Sequence, residues 1–263
     1  MCGITGIFGQ SPVGSLGEQV SKMTLSLSHR GPDDSGLWVS SNNTLALGHR
    51  RLSVLDLSQA GHQPMESSCG RFVMTFNGEI YNHLDIRKEL QNKSGRVSWK
   101  GSSDTETLLE GFSNWGIDET LERMIGMFAL AVWDKSKERL YLTRDRVGEK
   151  PLYFGWTNGN FVFGSELKAV KNSPGFNNEI DRDSLCLFLR HCYVPSPRSI
   201  FKDIYKLKPG FILDLSLKDT VSAPEEGMSR SNVNLRQYWS LKDKVERGRQ
   251  NLITDHEKAA ELL

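Results

Sequence analysis

This sequence predicts an α+β fold in which antiparallel sheets are covered by helices. Three observations carry that expectation. Short apolar stretches of strand character recur along the chain and are joined by polar turns. Two of them flank Thr157-Asn158-Gly159-Asn160, a strong hairpin signal. Between the strand-like stretches lie segments whose apolar residues return at helical spacing, the interspersed pattern of mixed folds.

In chain order, Ile4, Ile7 and Phe8 mark a first strand. Val20, Met23, Leu25 and Leu27 then recur at roughly helical spacing. The stretch HRGPDDSG (29–36) is rich in turn formers and reads as a loop. TLALGHRRLSVL (44–55) reads as extended, and FVMTF (72–76) as a strand. His83 to Gln91 and Asp104 to Trp115 have helical spacing. Met127 to Asp134 is apolar on both faces, which suits a strand covered from both sides. Arg139 to Thr143 follows after a polar turn. Leu152 to Trp156 and Phe161 to Phe163 form the hairpin. From about Ser216 to Asn251 the chain turns polar and reads as an irregular linker. Thr254 and Glu257 form a capping box opening an amphipathic helix that runs, apolar and uncapped, to Leu263. A further domain is expected beyond it.

The 263 residues suffice for one medium domain with part of another, and a net charge of +1 predicts neither a nucleic-acid footprint nor a membrane patch. The longest apolar run, Met127 to Trp133, is far too short to span a bilayer. No basic region followed by an apolar stretch precedes Cys2, so no secretory signal is expected. Cys2, Cys69, Cys186 and Cys192 match no zinc spacing and are too sparse for a disulfide framework. The expectation is a cytoplasmic protein without structural metal. His29, His49, His62 and His83 are expected to be hydrogen-bonded rather than ligands, and Trp115, Trp133 and Trp156 to be core.

Several stretches carry candidate chemistry. Cys2 follows the initiator directly. With Met1 trimmed, a thiol and a free α-amine share one residue. An α-amine titrates near 8 and can accept a proton at neutral pH, whereas a free thiol near 8.5 is mostly protonated. The alternative is that Cys2 is a small buried hydrophobe. In FNGEIYN (76–82), Asn77-Gly78 reads either as a hairpin turn or as two adjacent donors forming an oxyanion hole. In HRRLSVLD (49–56), an arginine is either a solvated edge residue or a fork for a carboxylate. In GSSDTETLLEGF (101–112), Ser103 and Glu106 form a capping box. Asp104, in that first turn, stays ionised and is able to hold an ammonium.

These stretches, in the order CGITGIFG, RGPDDSG, RLSVLD, FNGEIYN, GSSDTE, RDRVGEKPLYFG (144–155) and FGSELKAV (163–170), resemble the glutaminase domain of glutamine-hydrolysing asparagine synthetases. That family belongs to the class II, N-terminal-nucleophile glutamine amidotransferases. The resemblance covers roughly residues 2–215; residues 216–263 are then a linker and first helix leading into a synthetase domain. It implies a four-layer α-β-β-α sandwich of two antiparallel sheets. It also implies roles: Cys2 as nucleophile with its own α-amine as base, the Asn77 side chain and Gly78 N–H as oxyanion donors, and Arg51 on the substrate α-carboxylate. Asp104 binds the α-ammonium with Glu79 nearby, and Leu52 and Val54 line the pocket. The expected substrate is glutamine, and the expected partner a C-terminal synthetase domain, with a homodimer possible at full length.

In that family ammonia attacks an aspartate activated with ATP and Mg2+. No serine-and-glycine-rich pyrophosphate loop and no GKS or GKT stretch occurs here, so no cofactor is assigned to these residues. The faces carrying Arg144 and Glu166 are candidates to border an ammonia route; the alternative is ordinary hairpin and helix-start residues, with Ser165 as a cap. Three other readings are weighed: the same glutaminase serving a sugar or secondary-metabolite acceptor, another N-terminal-nucleophile hydrolase such as an amidase or a self-processing peptidase, and a non-catalytic regulatory module.

Overall fold

The computed structural model describes residues 1–10, 15–94, 97–220, 234–250 and 252. The strands are β1 (Gly3–Gly9), β2 (Asp34–Val39), β3 (Leu45–Arg51), β4 (Met65–Glu66), β5 (Phe72–Ile80) and β6 (Gly126–Asp134). They continue with β7 (Arg139–Arg144), β8 (Tyr153–Thr157), β9 (Asn160–Gly164), β10 (Ile204–Lys206), β11 (Phe211–Leu215) and β12 (Asn234–Gln237). The helices are α1 (Leu16–Leu25), α2 (His83–Ser94), α3 (Asp104–Trp115), α4 (Ile117–Arg123), α5 (Leu167–Lys171), α6 (Arg182–His191) and α7 (Leu241–Gln250).

Two six-stranded antiparallel sheets form the centre, ordered β10-β8-β9-β1-β3-β2 and β12-β11-β7-β6-β5-β4. Their facing sides share one core. Ile4, Phe8, Leu45, Leu47, Phe154, Phe161 and Phe163 from the first sheet meet Val73, Ala129, Ala131, Trp133, Leu140, Leu142 and Leu213 from the second. Phe8 and Trp133 meet edge to face at 5.3 Å. The outer face of the second sheet is covered by α2, α3 and α4 through Ile86, Leu90, Leu108, Leu109, Phe112 and Leu121. That of the first is covered by α1 and α5 through Leu16, Val20, Met23 and Val170. This is the α-β-β-α sandwich. Both faces of each central strand are buried, which explains why β1 and β6 are apolar without alternation.

Several expectations need correction. Asn77-Gly78 is no hairpin turn: β5 runs straight through it, paired with β6 from Phe72↔Asp134 to Ile80↔Gly126. The glycine is there because β6 passes close. A Cβ on Gly78 would overlap the Met127 carbonyl oxygen and lie 2.7 Å from the Phe128 Cα. Part of the HRGPDDSG loop is strand: Asp34–Val39 pairs with β3 as a sheet edge. Its exposed Leu37 and Val39 hid the alternation. The polar stretch read as an irregular linker contributes β12, paired with β11, and helix α7. The capping box at Thr254 and Glu257 and its helix lie outside the described residues. Among the described residues no helix is long and apolar enough to cross a membrane.

Candidate active site

One cavity of about 170 Å³ gathers all the residues expected to bind or react with glutamine: Cys2, Arg51, Leu52, Val54, Asn77, Gly78, Glu79 and Asp104 all line it. They arrive from both sheets and from α3, over a sequence separation no local pattern could specify.

Cys2 lies just ahead of β1, which delivers it to the mouth. Its Sγ accepts from the Leu52 N–H at 3.4 Å and lies 3.6 Å from the Leu52 carbonyl. Burial pushes the Cys2 thiol up, an effect the Leu52 hydrogen bond offsets only in part. The thiol is thus a poor nucleophile until a base takes its proton. With Met1 attached, the nitrogen of Cys2 is an amide and cannot be that base; Met1 itself lines the cavity.

The pairing pattern of β5 sets the donors. Phe128, opposite Gly78, spends its backbone on Asp145: its carbonyl accepts from Asp145 N at 2.8 Å and its N–H donates to Asp145 Oδ2 at 3.2 Å. Gly78 and Phe128 are therefore a non-hydrogen-bonded pair, and the Gly78 N–H points away from β6. Its neighbours of like parity agree. Phe76 N donates outward to Gln63 Oε1 at 2.7 Å, and Ile80 N to Asp104 Oδ2 at 2.9 Å. Because β4 covers only Met74 and Val73, the edge at Gly78 is open to the cavity. Beside it, Asn77 is 1 % exposed, and its Nδ2 has no hydrogen-bond partner. A buried amide without a partner is costly and rare, so this donor awaits an acceptor.

Arg51 ends β3 and is 8 % exposed. Its guanidinium donates to the Ser58 carbonyl at 3.1 Å and to the Asp56 carbonyl. Neutral carbonyls fix its direction without cancelling its charge. The Asp56 carboxylate faces elsewhere: it takes Ser58 N and Oγ and Ser102 N, and these bonds hold it down to about 2. It thereby ties the 56–61 turn to the approach of α3. Asp104, in the first turn of α3, is 5 % exposed, and burial pushes its carboxyl up to about 6. The Ile80 and Thr105 N–H groups oppose that rise, and the Glu79 charge adds to it. The Ser103 half of the capping box forms, Oγ accepting from Glu106 N at 3.3 Å. Glu106 instead reaches the N–H groups of Lys100 and Gly101, at 2.7 and 3.0 Å.

Gln63 was not singled out from sequence. Its amide bridges β5 to α3, accepting from Phe76 N and donating to Thr105 Oγ1 at 3.1 Å. Lys150, inside RDRVGEKPLYFG, also lines the cavity. Of the candidates for an ammonia route, Arg144 is tied to backbone. It donates to the carbonyls of Lys150, Leu207 and Gly148 at 2.7, 2.8 and 2.5 Å and so fixes the 145–150 turn. Glu166 bonds Arg30 and His29. Ser165 is not a helix cap; its Oγ accepts from Ile4 N at 3.0 Å. His49 is buried, held neutral with a pKa near 4 by desolvation, and donates to the Phe76 carbonyl at 3.0 Å. His62 meets Asp34 at 2.7 Å, whereas His83 Nδ1 is buried without a partner, contrary to expectation. Trp133 and Trp156 are core; Trp115 is only partly buried against it. Cys69, Cys186 and Cys192 are exposed.

The sequence model of a family described as a glutamine amidotransferase domain matches residues 1–225. A curated relative named "Putative asparagine synthetase (glutamine-hydrolyzing) 2", from Methanocaldococcus jannaschii, is 33 % identical over 92 % of this chain and 47 % of its own length. Asparagine synthetase 3 of Bacillus subtilis is 33 % identical over 92 % of this chain and 37 % of its own. The chain therefore spans less than half the length of these relatives. Among solved structures, a glutamine phosphoribosylpyrophosphate amidotransferase from B. subtilis superposes with a TM-score of 0.62 at 18 % identity. That match covers 90 % of this chain and 49 % of that one, and it shows the shared fold.

Proposed function

The chain belongs to the glutamine amidotransferase domain family, in its class II, N-terminal-nucleophile branch, and on that premise we propose that its cavity hydrolyses free glutamine with Cys2 as nucleophile. Removal of Met1 turns the Cys2 nitrogen into an amine. That amine takes the thiol proton as sulfur attacks the side-chain amide carbon of glutamine. The carbonyl oxygen becomes an oxyanion, met by Asn77 Nδ2 and the Gly78 N–H. The protonated amine returns its proton to the leaving nitrogen, and ammonia departs from a thioester. Water, deprotonated by the same amine, then attacks the thioester and releases glutamate, restoring the thiol.

Glutamine is a zwitterion, so its α-carbon needs a cation and an anion. Arg51 receives the carboxylate and Asp104 the ammonium, with Glu79 beside it and Leu52 and Val54 as apolar walls. The observation that carries this reading is the partnerless buried Asn77 Nδ2, beside an outward Gly78 N–H in the cavity that holds Cys2. The test is a glutaminase assay on mass-verified protein lacking Met1, with labelling by a diazo-ketone glutamine analogue. Cys2→Ala is expected to be inactive and unlabelled; retained activity would refute the assignment.

The ammonia then serves an acceptor on the part of the polypeptide that the relatives have and this chain does not span. Asparagine formation is the reading supported by the relatives' names, and the family resemblance would make the acceptor an aspartate activated with ATP and Mg2+. A different acceptor is supported by the fold's occurrence in a protein named for phosphoribosylpyrophosphate. Free ammonia is mostly ammonium at neutral pH and not nucleophilic, so either acceptor requires a sheltered transfer. Formation of asparagine by the longer polypeptide, given glutamine, aspartate and ATP, separates the two.

A further inference from the structure

The stretch HRGPDDSG supplies a residue whose role the proposed chemistry leaves unused. Arg30 is largely buried, and its Nε donates to the carbonyl of Cys2 at 2.9 Å. Its Nη1 donates to Glu166 Oε1 at 3.0 Å, and His29 Nε2 meets the same oxygen at 3.0 Å. The remaining side-chain hydrogen bond of Arg30, Nη2 to the Met1 sulfur at 3.9 Å, is lost when Met1 is removed.

Cys2 needs such support. The β1–β3 pairing begins at Gly3↔Arg50, so Cys2 lies one residue outside the ladder. Once Met1 is gone it is a chain terminus, and termini fray unless tied down. Its thiol and amine must nonetheless hold a reactive geometry, and a misplacement of about 1 Å can cost about a hundredfold in rate. The Glu166 backbone is well placed to give the tie a fixed origin. The preceding residue, Ser165, clamps β1 directly, its N–H donating to the Ile4 carbonyl at 2.9 Å and its Oγ accepting from Ile4 N. The turn into α5 thus reaches the start of the chain at two nearby points, at Ile4 in β1 directly and at Cys2 just ahead of it through Arg30.

We propose that Glu166 is a positioning residue for the nucleophile, acting through Arg30 on the Cys2 carbonyl. The carboxylate orients the guanidinium and compensates its buried charge, and the guanidinium holds the new terminus in register with the oxyanion donors. This rests on the glutaminase reading above. It assigns Glu166 to the alignment of the attacking group and gives it no part in recognising glutamine, because Arg51 and Asp104 stand on β3 and α3.

The test is steady-state glutaminase kinetics on the protein with Met1 removal verified by mass, comparing Glu166→Gln, Arg30→Met and the double variant. Glu166→Gln keeps the side chain's shape and is expected to lower kcat about ten- to a hundredfold, with KM within about twofold of the parent. The double variant is expected to be no slower than Arg30→Met, since the two act as one unit. Thermal unfolding of each variant is followed alongside, and the comparison is made below the lowest midpoint. Unchanged kcat in Glu166→Gln, a change confined to KM, or losses that multiply in the double variant would overturn the proposal. Inactivity of the parent, or activity of Cys2→Ala, would instead overturn the glutaminase reading.

Discussion

Replacing Asp104 with asparagine should make the protein more stable and a worse enzyme. Burial moves this carboxyl from the ordinary 3.8 to about 6, a displacement of about two pH units. Each unit is worth about 1.4 kcal/mol, so the ionised group costs the folded protein about 3 kcal/mol. The sign follows from the direction. Below pH 3.8 the carboxyl is neutral in both states and nothing is lost. Between 3.8 and about 6 the unfolded chain ionises first and stability falls; above about 6 the full cost is borne. Asp104→Asn, a neutral isostere, escapes it. Parent and variant should unfold together at pH 4, and at pH 8 the variant should be more stable by up to about 3 kcal/mol, or about 6–12 °C in Tm. Glutaminase kcat/KM should fall about a hundredfold or more, because the α-ammonium of glutamine loses its buried counter-charge. Calorimetry at the two pH values and initial rates provide the readings. A variant no more stable at pH 8 than the parent would refute the argument that Asp104 is held ionised at a cost that substrate relieves.

Asn77→Ala should lower kcat about 10²–10³-fold while leaving glutamine KM nearly unchanged, as expected for a donor used only by the oxyanion. Gly78→Ala must force β5 away from Met127 and Phe128; chemical denaturation should show a loss of about 1–3 kcal/mol, accompanied by loss of activity. Arg51→Lys should raise KM far more than it lowers kcat, because an ammonium cannot reproduce the fork now held by the Ser58 and Asp56 carbonyls.

The residues that line this cavity were legible because each sits in a short motif; each motif alone also had a structural reading, and only their order along the chain pointed to one chemistry. Asn77-Gly78 was legible as chemistry and misleading as structure. The same dipeptide that favours tight turns also suits a straight strand with a close neighbour on one side and a cavity on the other. The central strands announced themselves through continuous apolar runs, whereas edge elements did not. Asp34–Val39 and Asn234–Gln237 lie at the sheet margins, and their mixed polarity reflects half-exposure. Helix α6 was not anticipated: Ser184 is its one buried residue, and its apolar Leu185, Phe188 and Leu189 are exposed. Arg30, Gln63 and Glu166 make contacts to residues 13 to 137 positions away. Spacing along the chain holds no trace of such contacts until the sheets bring them together.

The central claim is that the Cys2 amine, bared by loss of Met1, is the base for its own thiol. The most direct measurement is the intact mass of the protein set against its glutaminase rate, before and after treatment with a methionine aminopeptidase. Activity should rise in proportion to the fraction lacking Met1 and vanish in the fraction retaining it. Full activity in molecules that still carry Met1 would contradict the account.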